Sequence, residues 1–478
     1  MIFKKNVTDI TKLVNLRFQI KNFFSEFDNK FILLNMTKFK LINKKMAEEF
    51  LNQISAKCSV IIIGAGQAGL SIAHSLQKKG IKPLILEKNY VGFSWKEQRW
   101  DSFCLVTPNW QCTLPDYQYS GKAPNGFMDK ENIVKYLKKY SEFVKADILE
   151  GIEVKQLVKK NEKFLISTNR GNFEADQVVI ATGAYHVPNR HPHSERLPSN
   201  VLQIDAREYK NAISLPEGPV LVVGSGQSGC QIAEDLFFEK REVHLSVGSA
   251  PRSPRRYRGR DVVDWLDRMG YYSMPIGEHD DPKSVRNKTN HYLTGRDNGR
   301  EIDLRKRATE GMNLHGRLER LAINNIQFSN DLSKNLDGAD SVYCRIRNSI
   351  DEWISKNGID APKEAKYTPF WEPNEDVKGT KLECKNLAVV IWCTGYKSDF
   401  RWVDIPVFDG AGIPVHERGV TQSPGLYFLG LPWLYTWGSG RFCGVKDDAN
   451  YLADIISLRT NKSAATKEMM ECKALLGS

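Results

Sequence analysis

Six glycines in two sets carry the most specific chemistry in this sequence. Gly64, Gly66 and Gly69 lie in "VIIIGAGQAGLSIAHSL" (60–76), and Gly224, Gly226 and Gly229 lie in "VLVVGSGQSGCQIAEDL" (220–236). Eight of the seventeen positions are identical, every glycine of the G-x-G-x-x-G among them. The spacing suits a dinucleotide: the first glycine permits a tight turn, the second lets a pyrophosphate approach the backbone, and the third lets helix and strand pack closely. Gln67, and in the second copy Gln227 and Ser228, open the helices whose free N–H groups and partial positive charge would face the phosphates. Beyond the loops the two copies diverge. Glu87, with Lys88 beside it, closes the next strand 23 residues after Gly64, where a carboxylate can accept hydrogen bonds from an adenosine ribose. In the second copy Ser246 stands 22 residues after Gly224, and Arg252, Arg255, Arg256 and Arg258 come after it. A ribose 2′-phosphate would be repelled by a carboxylate and held by guanidinium forks, which nominates Arg252 and Arg255. The first loop therefore suits FAD and the second NADPH, and two such folds in one chain imply electron transfer between two cofactors.

The elements that must hold these loops are legible around them. Each unit reads strand, glycine turn, helix, strand, and each first strand is a continuous apolar run, as a strand buried on both faces should be. "DKENIVKYLKKYSEFV" (129–144) reads as an amphipathic helix, residues 163–180 as a hairpin followed by a buried strand, and "LAVVIWCTG" as another buried strand. The alternation predicts an α/β protein with two Rossmann-like, three-layer dinucleotide-binding domains, the NADPH domain inserted in the FAD domain. Residues 57–190 and 385–478 would form the FAD-binding domain and 191–384 the NADPH-binding domain, with a helical insertion at 250–380 shaping the substrate pocket.

The net charge of +11 does not point to nucleic acid. Residues 1–45 hold ten Lys/Arg against three acids, a net of +7, which leaves only +4 over the other 433 residues. Residues 1–56 read as a basic extension that is either disordered or not native, with Met46 as the real start; the rival reading is a mitochondrial targeting segment. No stretch of 18 apolar residues suggests an integral membrane segment. The nine cysteines are scattered with no C-x-x-C, which suits a reduced, cytoplasmic protein without a metal site.

Further segments resemble the flavin-containing monooxygenases, among the two-dinucleotide-binding flavoproteins. "GFSWKEQRWDSFCLVTPNWQCTLPDYQYSG" (92–121) is similar to their segment running past the flavin, and "VVIATGAYHVP" (178–188) and "VVIWCTGYKSDF" (389–400) are similar to their two links between domains. "GLYFLGLPW" followed by "GSGRFCGVKDDANYLADII" is similar to their closing strand and helix; the likeness covers 57–470 and is strongest to a bacterial-type subfamily of FAD-dependent oxidoreductases. The resemblance implies cofactor contacts from Trp95, Thr182, Gly183, Thr394, Gly395 and Asp447, and places Trp95, Asp101, Thr107 and Asn109 near the reacting groups. It departs at the monooxygenase fingerprint F-x-G-x-x-x-H-x-x-x-[WY], where "SNVLQIDAREYK" (199–210) keeps Tyr209 but has Asp205 at the histidine.

The implied cycle begins with hydride transfer from NADPH to FAD. Molecular oxygen then forms a C4a-(hydro)peroxyflavin, which oxygenates a small organic substrate at nitrogen, sulfur or a carbonyl carbon. The altered fingerprint leaves open an NADPH oxidase or dehydrogenase that inserts no oxygen. A disulfide reductase of the same architecture would need a C-x-x-C beside the flavin. No motif specifies the substrate or the oligomeric state.

Overall fold

The computed structural model describes residues 55–476 except 288, 323 and 375–380, so the expected basic extension lies outside the described residues up to position 54. In chain order its principal elements are β1 (Ser55–Ile63), α1 (Gln67–Gln77), β2 (Leu84–Glu87), α2 (Phe93–Glu97), α3 (Lys130–Val144), β3 (Asp147–Glu150), β4 (Val154–Lys160), β5 (Lys163–Thr168) and β6 (Gly171–Ile180). Then come β7 (Leu202–Asp205), β8 (Val220–Val223), α4 (Gln227–Phe238), β9 (Val243–Ser246), α5 (Val262–Arg268), β10 (Asn313–His315), α6 (Leu332–Lys356), β11 (Val389–Trp392), β12 (Val403–Asp404), β13 (Leu426–Phe428) and α7 (Val445–Leu476).

Two sheets organise the chain. The first runs β12–β4–β5–β6–β1–β2–β3, with β13 added parallel to the end of β6. Its central pairs β6–β1–β2–β3 are parallel, and β4–β5–β6 is an antiparallel meander. The second is five-stranded and parallel throughout, in the order β7–β11–β8–β9–β10. Val60–Ile62 in β1 and Val220–Val222 in β8 are fully buried, because helices or further layers cover both faces of each sheet. Helix α3 starts at Asp129, whose side chain accepts from the Asn132 N–H at 2.8 Å, and ends at Lys145 in the left-handed region (φ 52°).

The second sheet extends further than expected. Its strand β11 begins at Val389, so the boundary expected at residue 385 falls within the second unit. The region 250–380 is also more than a helical insertion: it contributes β10 to the parallel sheet and most of a three-stranded antiparallel sheet, Leu318–Leu321, Asn325–Phe328 and Lys381–Glu383. Two chain crossings connect the sheets and run side by side. Pro188 pairs with Tyr396 and Val187 with Lys397 in an antiparallel ribbon, and the Asn189 N–H donates to the Gly395 carbonyl at 2.9 Å. Among the described residues, no helix is long and apolar enough to cross a membrane.

Candidate functional site

The glycine loops sit at the carboxyl ends of β1 and β8, where open parallel sheets bind ligands. Their construction is nearly the same. The Gly64 N–H donates to the Leu86 carbonyl at 2.8 Å, and the Gly224 N–H to the Ser246 carbonyl at 3.1 Å. Both first glycines have positive φ, 106° and 103°, and a Cβ on either would lie 2.7 Å from a carbonyl oxygen, that of Ala181 or Cys393. Those two residues start the links Ala181–Gly183 and Cys393–Gly395, so each loop is backed by one interdomain crossing. A Cβ on Gly69 or Gly229 would stand 1.9 or 1.8 Å from the carbonyl oxygen of the loop's own first glycine. Gly66, by contrast, has open space where its Cβ would be, and at Gly226 only the Thr289 methyl comes within 4 Å, at 3.9 Å. Each loop is thus closed on the protein side and open above the helix N-terminus, which is the shape a pyrophosphate needs. The donor chemistry and the open cradles fit two dinucleotides.

Around the first loop the expected residues converge. One Glu87 carboxylate oxygen accepts from the Ala65 N–H at 2.7 Å and the other from the Asn89 N–H at 2.8 Å, so the carboxylate lies at the mouth of the loop. The Gln67 amide donates to the Gly440 carbonyl at 3.0 Å, which draws the segment before α7 over the loop. Lys88 points elsewhere, to Glu153 at 2.9 Å on the surface. Trp95 in α2 is stacked on Phe442 with ring centroids 5.7 Å apart, and the Arg99 guanidinium lies 5.1 Å from the Trp95 centroid. Thr182 is exposed and Gly183 open, while Thr394 hydrogen-bonds the Asn189 carbonyl beside Gly395.

Several expected roles do not survive the geometry. Asn109 is buried with both ends of its amide committed: it donates to the Ala123 carbonyl at 3.0 Å and accepts from the Met128 N–H at 2.7 Å, clamping the 109–128 loop. Asp101 is exposed and bonded to Lys130 and Asn211, both at 2.7 Å, which hold its carboxyl below the usual range; it fastens α3 and is no proton donor. Thr107 is half-buried just before that clamp. Asp447 is exposed, and the neighbouring Asp448 is the inward carboxylate, accepting from Ser439 at 2.6 Å and Arg418 at 3.2 Å.

The arginine run after β9 is also structural. Arg252 is 2% exposed and bonded to Asp340, Glu301 and Asp303 at 2.7–3.1 Å. Arg255 is 1% exposed, paired with Asp261 and donating to the Val106 carbonyl at 2.7 Å. Both are buried and held by carboxylates or carbonyls, which leaves neither exposed beside the end of β9. Ser246 is likewise committed, donating to the Gly316 carbonyl at 3.1 Å and accepting from the Leu318 N–H at 3.0 Å. Those bonds bracket Arg317, whose half-exposed guanidinium has Asp331 at 3.6 Å. An exposed arginine thus stands beside the end of β9, brought there from the end of β10, 71 residues further along the chain than Ser246.

Asp205, in place of the fingerprint histidine, is buried and accepts from the Arg207 backbone N–H at 2.9 Å and the Arg207 Nε at 3.3 Å. Arg207 is thereby aimed at the ribbon between the domains: it donates to the His186 carbonyl at 3.0 Å and lies 5.0 Å from the Tyr396 ring centroid. Tyr209 is fully buried and donates to Asp235 of α4 at 2.7 Å. The sequence offered no sign of Asp235, which also takes the Ser102 hydroxyl at 2.6 Å and pairs with Arg296. Cys112 lies in the field of Cys443, and burial pushes their thiols up to about 12 and about 11. Neither is a thiolate at neutral pH. Among the described residues no group of His, Cys, Asp and Glu could hold a metal.

Residues 61–309 match the family model described as pyridine nucleotide-disulphide oxidoreductase. An oxidoreductase of Geobacillus kaustophilus, named uncharacterized and CzcO-like, is 34% identical over 83% of this chain and 97% of its own length. A probable indole-3-pyruvate monooxygenase of Arabidopsis thaliana, YUCCA3, is 29% identical over 45% of this chain and 52% of its own. Among solved structures, a flavin-containing monooxygenase from Stenotrophomonas maltophilia superposes with a TM-score of 0.59 at 18% identity, covering 85% of this chain and 99% of its own.

Proposed function

The chain belongs to the pyridine nucleotide-disulphide oxidoreductase family, and from that premise we propose that this flavoprotein oxidoreductase is an NADPH-using monooxygenase of a small organic substrate. Bound FAD would supply the hydride acceptor and the oxygen-activating centre. The first loop, with Gly66 open and Glu87 at its mouth, holds FAD; the second, with Gly226 open, holds NADPH. The two domains correspond to the two sheets, with the Gly183 and Gly395 links between them. Arg317 rather than Arg252 or Arg255 reads the 2′-phosphate, because it alone of the three has an exposed guanidinium beside the end of β9.

The observation that carries the reading is the pair of open cradles at Gly66 and Gly226, in a sequence with no C-x-x-C. The stacked Trp95–Phe442 pair supports the reading, because it offers an apolar surface of the kind an oxygenating site would use to exclude water. A disulfide reductase would need a thiolate there, and burial keeps Cys112 and Cys443 protonated. Asp205 in place of the fingerprint histidine favours a second reading, an oxidase that releases peroxide. It turns Arg207 toward the interdomain ribbon, where nicotinamide retention would be decided.

The test is anaerobic reduction of the yellow full-length protein with NADPH and with NADH, followed by admission of O₂ and quantitation of H₂O₂ against NADPH consumed. Peroxide matching NADPH one for one with every nitrogen, sulfur and carbonyl substrate tried would replace the monooxygenase by the oxidase. A colourless preparation that takes up no FAD would remove both.

A further inference from the structure

Gly226 is the point of the second loop at which a dinucleotide passes closest to the backbone. The residue that borders this opening comes from another part of the chain. The Thr289 methyl lies 3.9 Å from where a Gly226 Cβ would stand. Thr289 is exposed, and its hydroxyl shares a carbon with that methyl, so a change of χ1 rotamer turns an O–H toward the same opening. Contacts on both sides bring Thr289 there. Before it, the chain leaves α5 and runs along the loop between β13 and α7. Pro275 pairs with Thr436, the Ile276 N–H donates to the Tyr435 carbonyl at 2.7 Å, and the His279 ring stands edge-on to Trp433 with centroids 5.3 Å apart. After it, the chain is fixed beside the second loop. The N–H of buried Tyr292 donates to the Pro251 carbonyl at 3.1 Å, and Gln231 of α4 donates its side-chain amide to the Leu293 carbonyl.

Asn290 stands between these anchors. It is exposed, and its side-chain oxygen accepts from Arg441 at 3.0 Å. Arg441 is held in turn: it donates to the Trp437 carbonyl, and its guanidinium lies 3.8 Å from the Trp437 ring centroid. The loop that carries it is braced from within. Ser439 is buried, donates to Asp448 at 2.6 Å and accepts from the Tyr435 and Thr436 N–H groups, both at 3.0 Å. Arg441 also follows Gly440, whose carbonyl takes the Gln67 amide over the first loop. The segment bordering the second loop is therefore tied to the segment drawn over the first. Phosphate oxygens bound to the N–H groups of a glycine loop keep lone pairs on the side away from it, and a hydroxyl from a covering segment is a donor on that side.

We propose that Thr289 is a further nucleotide-binding residue, whose hydroxyl donates to a pyrophosphate oxygen of the dinucleotide in the second loop, and that Asn290, held by Arg441, is the positioning residue that keeps it there. The inference rests on the second loop being the nicotinamide-nucleotide seat. The test uses the full-length protein as purified and reads the Kd of NADP⁺ and of adenosine 2′-monophosphate by calorimetry. The second probe carries the ribose phosphate without the pyrophosphate. Thr289→Val keeps the methyl and removes the hydroxyl, so NADP⁺ should bind about three- to tenfold more weakly, as for one lost hydrogen bond, while adenosine 2′-monophosphate binds as before. Thr289→Ser should stay within about twofold of the parent, since the hydroxyl is kept. Asn290→Ala should reproduce the loss by freeing Thr289, and Asn290→Asp, which still accepts from Arg441, should restore NADP⁺ binding. Unchanged NADP⁺ affinity in Thr289→Val or in Asn290→Ala would overturn the proposal. So would an equal loss for adenosine 2′-monophosphate, which a merely structural role would give. No saturable NADP⁺ binding by the parent would refute the seat itself and the proposal with it. Calorimetry does not depend on flavin, so a colourless preparation would refute the flavin reading while still deciding this one.

Discussion

Asp235 on α4 joins three segments, and its removal should be felt across the whole molecule. Its carboxylate takes the Tyr209 hydroxyl at 2.7 Å and the Ser102 hydroxyl at 2.6 Å and pairs with Arg296. Ser102 lies just after α2 in the first domain, Tyr209 precedes β8, and Arg296 comes from the 250–380 region. Asp235 is 6% exposed and Arg296 26%. Breaking a fully buried ion pair from one side costs about 3–5 kcal/mol. The partial exposure of Arg296 lowers that to about 2–3 kcal/mol for Asp235→Asn. Tyr209→Phe removes one hydrogen bond to a charged acceptor, worth about 1.5–3 kcal/mol. Because Asp235→Asn takes the charge from the bond that Tyr209→Phe deletes, the double variant should fall short of additivity by about 1–2 kcal/mol. At about 2–4 °C per kcal/mol for a domain of this size, Asp235→Asn should lower Tm by roughly 4–12 °C. The assay is thermal unfolding followed by tryptophan and by flavin fluorescence, with urea titrations for the cycle. A Tm within about 1 °C of the parent, or additivity within about 0.5 kcal/mol, would refute the hub.

Gly66→Ala should fold, since nothing lies within 4 Å of its Cβ position, but should be purified without flavin; Gly226→Ala should keep the flavin and raise the NADPH KM instead. Absorbance at the flavin band and steady-state kinetics decide both, and a yellow Gly66→Ala protein would break the assignment of the loops. Arg317→Ala should cut the preference for NADPH over NADH by about tenfold, read as the ratio of the two kcat/KM values. An unchanged ratio would remove Arg317 as the phosphate reader. Burial holds His291, His315 and His416 down to about 4, below the ordinary histidine value. Their stabilising effect is therefore complete above pH 6.5 and is lost as pH falls toward 4, with a slope of up to about 1.4 kcal/mol per pH unit for each. Tm measured across that range should fall, and His315→Gln should flatten the fall.

Much of the architecture could be read without coordinates because it is local. Strand, glycine turn, helix and strand succeed one another within about 30 residues, and a β-branched run has few options except a buried parallel strand. Glu87 was identifiable for the same reason: the pleat of β2 and the length of α1 fix where it must emerge. The errors arise where partners are distant in sequence. An arginine run after β9 reads as a phosphate site, but whether a guanidinium is free depends on Asp340, Glu301 and Asp261, which folding brings to it. Asn109 and Asp101 have the side chains of a reactive pair and serve as a loop clamp and a helix tie, because Met128, Ala123 and Lys130 claim them.

The sequence by itself determined that there are two dinucleotide loops, that one is followed by a ribose acid and the other is not, and that the chain has no C-x-x-C. These come from covalent spacing and backbone sterics, which act over a few residues. Only the tertiary structure decided which charges are spent and which remain available. It buried Arg252 and Arg255 against carboxylates and left Arg317 half-exposed beside the end of β9. Electrostatic availability is a property of the whole set of neighbours, and that set exists only in the folded chain.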